Sequence, residues 1–174
     1  MTKSDDRRTA ILDRLADHVL AQGLSASSLR PLAKAAGISD RMLLYYFADK
    51  AEVVGAVLEL LGARMQVLLA GQMAPQPLLI DALRARIVGV LFDDALWPYM
   101  RLWLEIAALA AGGDILFRDV GERIGRGFLA WGAAQLDSPS PEQREIDAAR
   151  LLVSVEGMVL IKSIGMADIC RKAL

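Results

Sequence analysis

Arg41, Tyr45, Tyr46 and Lys50 fall in one short stretch, with Met42 and Leu44 between them and Ser27 and Ser28 a little upstream. Guanidinium, ammonium and hydroxyl groups at this density suit recognition better than bond making. Phosphate oxygens accept from every one of them, and a guanidinium matches the paired acceptors on a guanine edge. Arg41 is therefore the expected base contact, and Ser27, Ser28, Tyr45, Tyr46 and Lys50 are expected at phosphates. Met42 and Leu44 suit thymine methyl groups, while Asp40 repels phosphate and should face away or accept from a cytosine amino group. Catalysis has little to work with. One histidine, His18, one cysteine, Cys170, and scattered acids assemble no nucleophile and base, paired carboxylates or metal cluster. Neither an enzyme nor a metal nor a cofactor is expected.

These side chains need elements to hold them. Leu29, Leu32, Ala33 and Ala36 share one face at helical spacing, with Ser27 placed to cap that helix. Gly37 ends it, because the residue just past a helix end often needs a positive φ, and Ile38 can plug the corner that follows. Ser39 caps a second short helix, from which Leu43 and Phe47 point inward. Asp40, Arg41, Met42, Leu44 and Tyr45 are left facing outward. An ordinary amphipathic helix would fill that outer face with lysine and glutamate; here it carries methionine, leucine and tyrosine. The pair reads as a helix-turn-helix.

The run Gly37-Ile38-Ser39, then Leu43, Tyr45-Tyr46-Phe47, Lys50 and Val53, resembles the signature of the tetracycline-repressor (TetR) family of bacterial regulators. Gly23 ahead of the turn, Leu32-Ala33 and Ala36-Gly37 extend the similarity over roughly the first third of the chain. Leu44, where tyrosine is usual, Met42, where threonine is common, and Arg41, where glycine is frequent, depart from the pattern and bear on operator sequence. The resemblance implies an all-α protein: a three-helix DNA-binding domain over 1–48 and a helical effector-binding and dimerisation domain over 49–174. It further implies a homodimer on a palindromic operator, released by a small apolar or aromatic effector that moves the fourth helix.

The rest of the chain reads as helices. Ile11, Leu12, Leu15, Ala16, Val19 and Leu20 form the stripe of a first helix over 5–22, stopped by Gly23, with His18 off its centre. Pro31 falls in the first turn of the second helix, where a missing amide is tolerated. Asp49 and Glu52 form a capping box that opens a long fourth helix, ended by Pro75-Gln76-Pro77. A fifth helix spans 78–92, and a sixth, 97–111, is apolar nearly all round apart from Arg101 and Glu105, four apart, the spacing of an intrahelical ion pair at an exposed edge or of a polar pair lining a ligand cavity. Phe117, Val120, Ile124, Phe128 and Trp131 mark a seventh, whose glycines suggest close approach by a neighbour or room for a ligand. Ser140, Pro141 and Gln143 open an eighth running to about 164, and 166–174 makes a short last one. Candidate pocket walls are Trp97, Arg101, Trp103, Glu105, Phe117, Phe128 and Trp131. Leu152, Val155, Glu156, Gly157, Val159 and Leu160, on an eighth helix apolar on most faces, are the candidate dimer interface.

Among 174 residues, 55% are hydrophobic and 24% charged, which is rich enough to suggest apolar surface covered by a second subunit or a ligand. The net charge of −1 gives no global attraction for nucleic acid, so any such attraction is local. Residues 1–50 hold eight Lys and Arg against six Asp and Glu; the remainder holds twelve against fifteen. The charged N-terminus does not read as a signal peptide, and Arg101, Glu105, Glu156 and Lys162 interrupt the greasiest segments, so no membrane span is expected. A cytoplasmic location follows. The rival to an operator-binding regulator is a helical protein-interaction module that kept the fold and lost DNA binding.

Overall fold

The computed structural model describes residues 3–173, which form α1 (Lys3–Gln22), α2 (Leu29–Ala36), α3 (Asp40–Tyr46), α4 (Lys50–Ala70), α5 (Ile80–Leu91), α6 (Trp97–Ala111), α7 (Ile115–Ala134), α8 (Pro141–Ser163) and α9 (Ala167–Lys172). A 3-10 turn, Leu24–Ala26, joins α1 to α2. Among the described residues there is no strand; one isolated bridge pairs Leu78 with Leu136. The all-α expectation holds.

The helices form two compact units, each assembled from two stretches of the chain. One comprises residues up to Arg64 together with Arg101–Gly121; the other comprises Met65–Met100 and Glu122–Leu174. The first needs the later segment because α1 to α3 present more apolar surface than three short helices can bury among themselves. Leu15, Leu32, Leu43, Phe47, Val53 and Val57 are almost fully enclosed in this unit, and Leu102, Ile106, Phe117 and Val120 from α6 and α7 are buried with them. Gly121 belongs here too: a Cβ on it would lie 3.4 Å from Cγ2 of Ile106. In the second unit Leu83, Ile87 and Val88 of α5 and Leu151, Met158 and Val159 of α8 are buried. Gly132 faces Leu151 there, and a Cβ on it would lie in ordinary packing contact at 3.5 Å.

Local signals were accurate where a side chain caps its own helix. Asp49 Oδ1 accepts from the Glu52 amide at 2.8 Å, and Glu52 Oε2 accepts from the Ala48 amide at 2.6 Å. Ser140 accepts from the Gln143 amide at 3.1 Å. The Gln143 side chain, however, turns to the buried Asp147, which also accepts from Ser138, both at 2.8 Å; these bonds hold the Asp147 carboxyl below its ordinary range. Ser27 is not the cap of α2. Ser28 occupies that position, and Ser27 is buried with its hydroxyl donating to the Leu24 carbonyl at 2.6 Å. Among the described residues one helix, α4, is long and apolar enough to cross a bilayer by length and composition, where the sequence leads us to expect none. Its Val53, Val54, Val57, Leu58 and Leu61 are instead buried in the first unit's core.

Replacing Leu32, fully buried among α1 to α3, by alanine leaves a cavity the surrounding helices cannot close; the expected loss is about 2 to 5 kcal/mol, read as a lower urea midpoint at unchanged slope.

Candidate nucleic-acid interface

The turn between α2 and α3 is built by its backbone. Gly37 takes φ 70°, ψ 31°, the left-handed region, and its amide donates to Lys34 O at 3.1 Å while the Ile38 amide donates to Ala33 O at 3.0 Å. Ser39 then caps α3, its Oγ accepting from the Met42 amide at 3.2 Å. Leu43 is buried and Phe47 is 1% exposed just past the end of α3, so these two residues fix which face looks out.

That outward face carries Asp40, Arg41, Leu44 and Tyr45, all exposed, with Met42 and Tyr46 half-buried at its edges. Arg41, Met42, Leu44 and Tyr45 together line a shallow open depression. Tyr45 is 75% exposed and meets Tyr46 edge to face, ring centroids 5.2 Å apart. An aromatic ring and a leucine so placed gain by leaving water, which an unliganded surface does not let them do. Ser28 and Lys50 are exposed, Lys50 being the first residue of α4. Ser27, buried, does not share this surface, and its phosphate role is withdrawn.

Two residues that the sequence reading passed over hold the motif. Arg14 of α1 donates to the Ala36 carbonyl at 3.0 Å, at the C-terminus of α2. Arg8, six residues earlier on the same helix, donates to the Tyr46 carbonyl at 3.3 Å, lies 4.5 Å above the Phe47 ring and pairs with Glu52 at 3.1 Å. Guanidinium groups at helix C-termini satisfy carbonyls that have no amide partner and complement the negative end of the helix dipole. The available signal was two arginines beside an apolar stripe, which spacing alone does not assign. Arg64 of α4 adds a third clamp, at 2.8 Å from Asp13 and 2.7 Å from Asp17 of α1; Asp17 foremost, and Asp13, raise its already high pKa against the opposing effect of burial.

The other expected sites fare differently. Arg101, Trp103, Glu105 and Phe117 lie in the first unit, and Trp97, Phe128 and Trp131 in the second. Phe117 is core, Trp103, Phe128 and Trp131 are half-buried, and Arg101 is exposed. Glu105 accepts from the Leu24 amide at 2.7 Å rather than forming the expected pair with Arg101. Trp97 packs edge to face with Phe92, 6.4 Å between centroids, and the Lys162 ammonium sits 3.9 Å over its ring while donating to Phe92 O at 2.9 Å. Burial pushes that lysine's pKa down, against the pull of Asp94 and Asp93. On α8, Val155 and Val159 turn into their own unit's core, Leu152 and Glu156 are half-buried, and Gly157 and Leu160 are exposed. The exposed apolar positions are Ile146, Val153, Leu160 and Ile164. Among the described residues no group of three or more His, Cys, Asp or Glu could hold a metal ion.

Residues 11–57 match the model of the bacterial regulatory proteins of the tetR family. Solved structures with the same fold include a transcriptional regulator from Rhodococcus sp. Rha1, at 23% identity and TM-score 0.71 over 93% of this chain and 86% of that one. GusR of Salmonella enterica matches at 18% identity and TM-score 0.67, over 98% and 90%. The multidrug binding protein EbrR, complexed with imidazole, matches at 22% and 0.66, over 96% and 92%. No curated protein sequence matches. At these identities the solved structures establish the fold, and the matched segment contains the whole turn described above.

Because Ser39 both starts α3 and sets its direction, Ser39→Ala is expected to lower stability by about 1 kcal/mol, seen as a reduced thermal midpoint by circular dichroism.

Proposed function

We infer, for a chain whose residues 11–57 belong to the tetR family of bacterial regulatory proteins, that it is a cytoplasmic repressor. It binds a palindromic operator as a homodimer and is released by a small apolar or aromatic effector. The observation that carries this reading is the exposed face of α3, with Arg41, Leu44 and Tyr45 presented on a helix whose ends are held by Arg8 and Ser39. Inserted in a major groove, Arg41 reaches a guanine edge, and Met42 and Leu44 meet thymine methyls. Tyr45, Tyr46, Ser28 and Lys50 fix register on phosphates. Asp40 stays off the backbone. The net charge of −1 makes this a locally steered complex rather than one drawn in by the whole molecule's field.

A homodimer is supported by the outer face of α8. Ile146, Arg150, Val153, Gly157, Leu160 and Ile164, all exposed, recur at alternating intervals of four and three, the seam of two helices packed side by side. Space around Gly157 is open, so a partner helix could approach its backbone closely. Leu160 and Gly157 keep the interface role expected of them, and Val153 replaces Val155 and Val159. Two reading helices then meet half-sites about 34 Å apart. An effector must favour the non-operator state by differential contacts, and operator DNA must weaken effector binding by the same factor. That EbrR binds drugs is in keeping with an effector of this kind.

Three results test the reading. Duplexes selected by the wild-type protein from a random-sequence pool should bind with affinity that falls steeply with salt; a flat salt response overturns DNA binding. On the selected duplex, Arg41→Ala should lose about 1 to 3 kcal/mol of discrimination at one base pair, whereas Lys50→Ala should weaken all sequences alike and reduce the salt slope by about one. Val153→Glu should place a charge in the α8 seam and give monomers by sedimentation equilibrium at concentrations where the wild type is dimeric.

A further inference from the structure

The connection between α1 and α2 is closed by a side chain from far along the chain. Glu105, on α6, brings its carboxylate to the Leu24 amide, Oε2 accepting at 2.7 Å across 81 residues of sequence. Gly23, immediately before, has φ 79°, and a Cβ there would stand 2.6 Å from Oε1 and 3.0 Å from Oε2 of Glu105. The backbone requires glycine at that position, and the Glu105 carboxylate in this geometry lies where a side chain would begin. The Leu24 carbonyl, on the other side of the same residue, accepts from the Ser27 amide at 3.0 Å and the Ser27 hydroxyl at 2.6 Å. Glu105, Leu24 and Ser27 thus form a continuous chain of hydrogen bonds that ends one residue before the Ser28 cap of α2.

We propose that Glu105 is a positioning residue for DNA reading: through the Leu24 amide it sets where α2 begins, and through α2 the tilt at which α3 meets the groove. The proposal rests on the DNA-binding reading above.

The test uses the full chain and the duplex selected by the wild type. In Glu105→Ala the Leu24 amide should lose protection from hydrogen exchange by NMR, and affinity for the duplex should fall about tenfold, in line with the loss of a charge-assisted hydrogen bond. Glu105→Gln keeps an acceptor at the same reach and should restore both. Glu105→Asp is shorter by about 1.5 Å and should behave as alanine does. If Glu105→Ala does not fold, the glutamine and aspartate variants carry the test alone. Wild-type affinity in Glu105→Ala or Glu105→Asp overturns the proposal, as does lost affinity in Glu105→Gln with Leu24 still protected. A loss of affinity explained wholly by a lower unfolding midpoint, and absent when each variant is measured well below its own midpoint, overturns it as well. A wild-type protein that selects no duplex defeats the DNA-binding reading, and this proposal with it; a selected duplex bound equally by every variant defeats the proposal alone.

Discussion

A helix of seven residues cannot hold itself together in water, since the first turn fixes several dihedrals for a single hydrogen bond and few bonds follow. Everything around α3 answers that constraint. Leu43 and Phe47 tie its inner face to the core, Ser39 closes its N-terminus, and Arg8 satisfies the carbonyl of Tyr46 at its other end. Because these contacts come from α1, α3 itself and the start of α4, the outer face is under no obligation to contribute to folding. That leaves Arg41, Leu44 and Tyr45 free to be chosen for what they meet outside. The cost is an aromatic ring three-quarters exposed in the unliganded protein.

The holding contacts divide into two kinds. Burial of Leu15, Leu32, Leu43 and Phe47 is worth several kcal/mol in sum, at about 1.5 to 3 kcal/mol for each enclosed side chain, and it does not specify a register to a fraction of an ångström. The ion pairs of Arg64 with Asp13 and Asp17, and of Arg8 with Glu52, are partly exposed and contribute about 0 to 1 kcal/mol each. Their geometry is directional, however, and the guanidinium fork of Arg64 reaches two carboxylates one helical turn apart on α1. Apolar burial supplies the stability, and the charged contacts fix how α1 sits along α4.

What the sequence disclosed follows the range of the interaction. Ser39, Asp49 with Glu52, and Ser140 with Gln143 bond within three or four residues of themselves, so their spacing states their role. Gly37 is similar, because a positive φ at a helix end is a local demand. The other residues depend on something their own spacing does not state. Ser27 and Ser28 are equally good caps by type, and only the Leu24 carbonyl, held in a 3-10 turn, draws Ser27 inside. Glu105 looked like half of a pair with Arg101 because its real partner is 81 residues away. On α8 the difficulty is one of phase: Leu151 to Ile161 is apolar nearly all round, so periodicity does not choose between Val153 and Val155 for the outer face. The segment that completes the first unit, Arg101–Gly121, is not contiguous with the rest of it, which no local pattern in the sequence states.

That discontinuity constrains how regulation can work in the proposed scheme. The first unit contains the reading helices and also the greater part of α6 and the start of α7. The helices α4, α6 and α7 each run from one unit into the other without a break in their backbone hydrogen bonding. Helices resist bending but slide and rotate with little cost where their packing is smooth and their anchoring is polar. Within the first unit, α4 contributes Glu52 and Arg64, and α6 contributes Glu105, as polar contacts to α1 and to the turn before α2. Each is a directional contact of modest strength set in an otherwise apolar interface, so a displacement too small to open the core is enough to change the anchor. A small effector has only a few kcal/mol of differential binding to contribute. In this architecture that is the scale of the contacts holding α1 and α2 in place, and far below the scale of the core that holds the unit together.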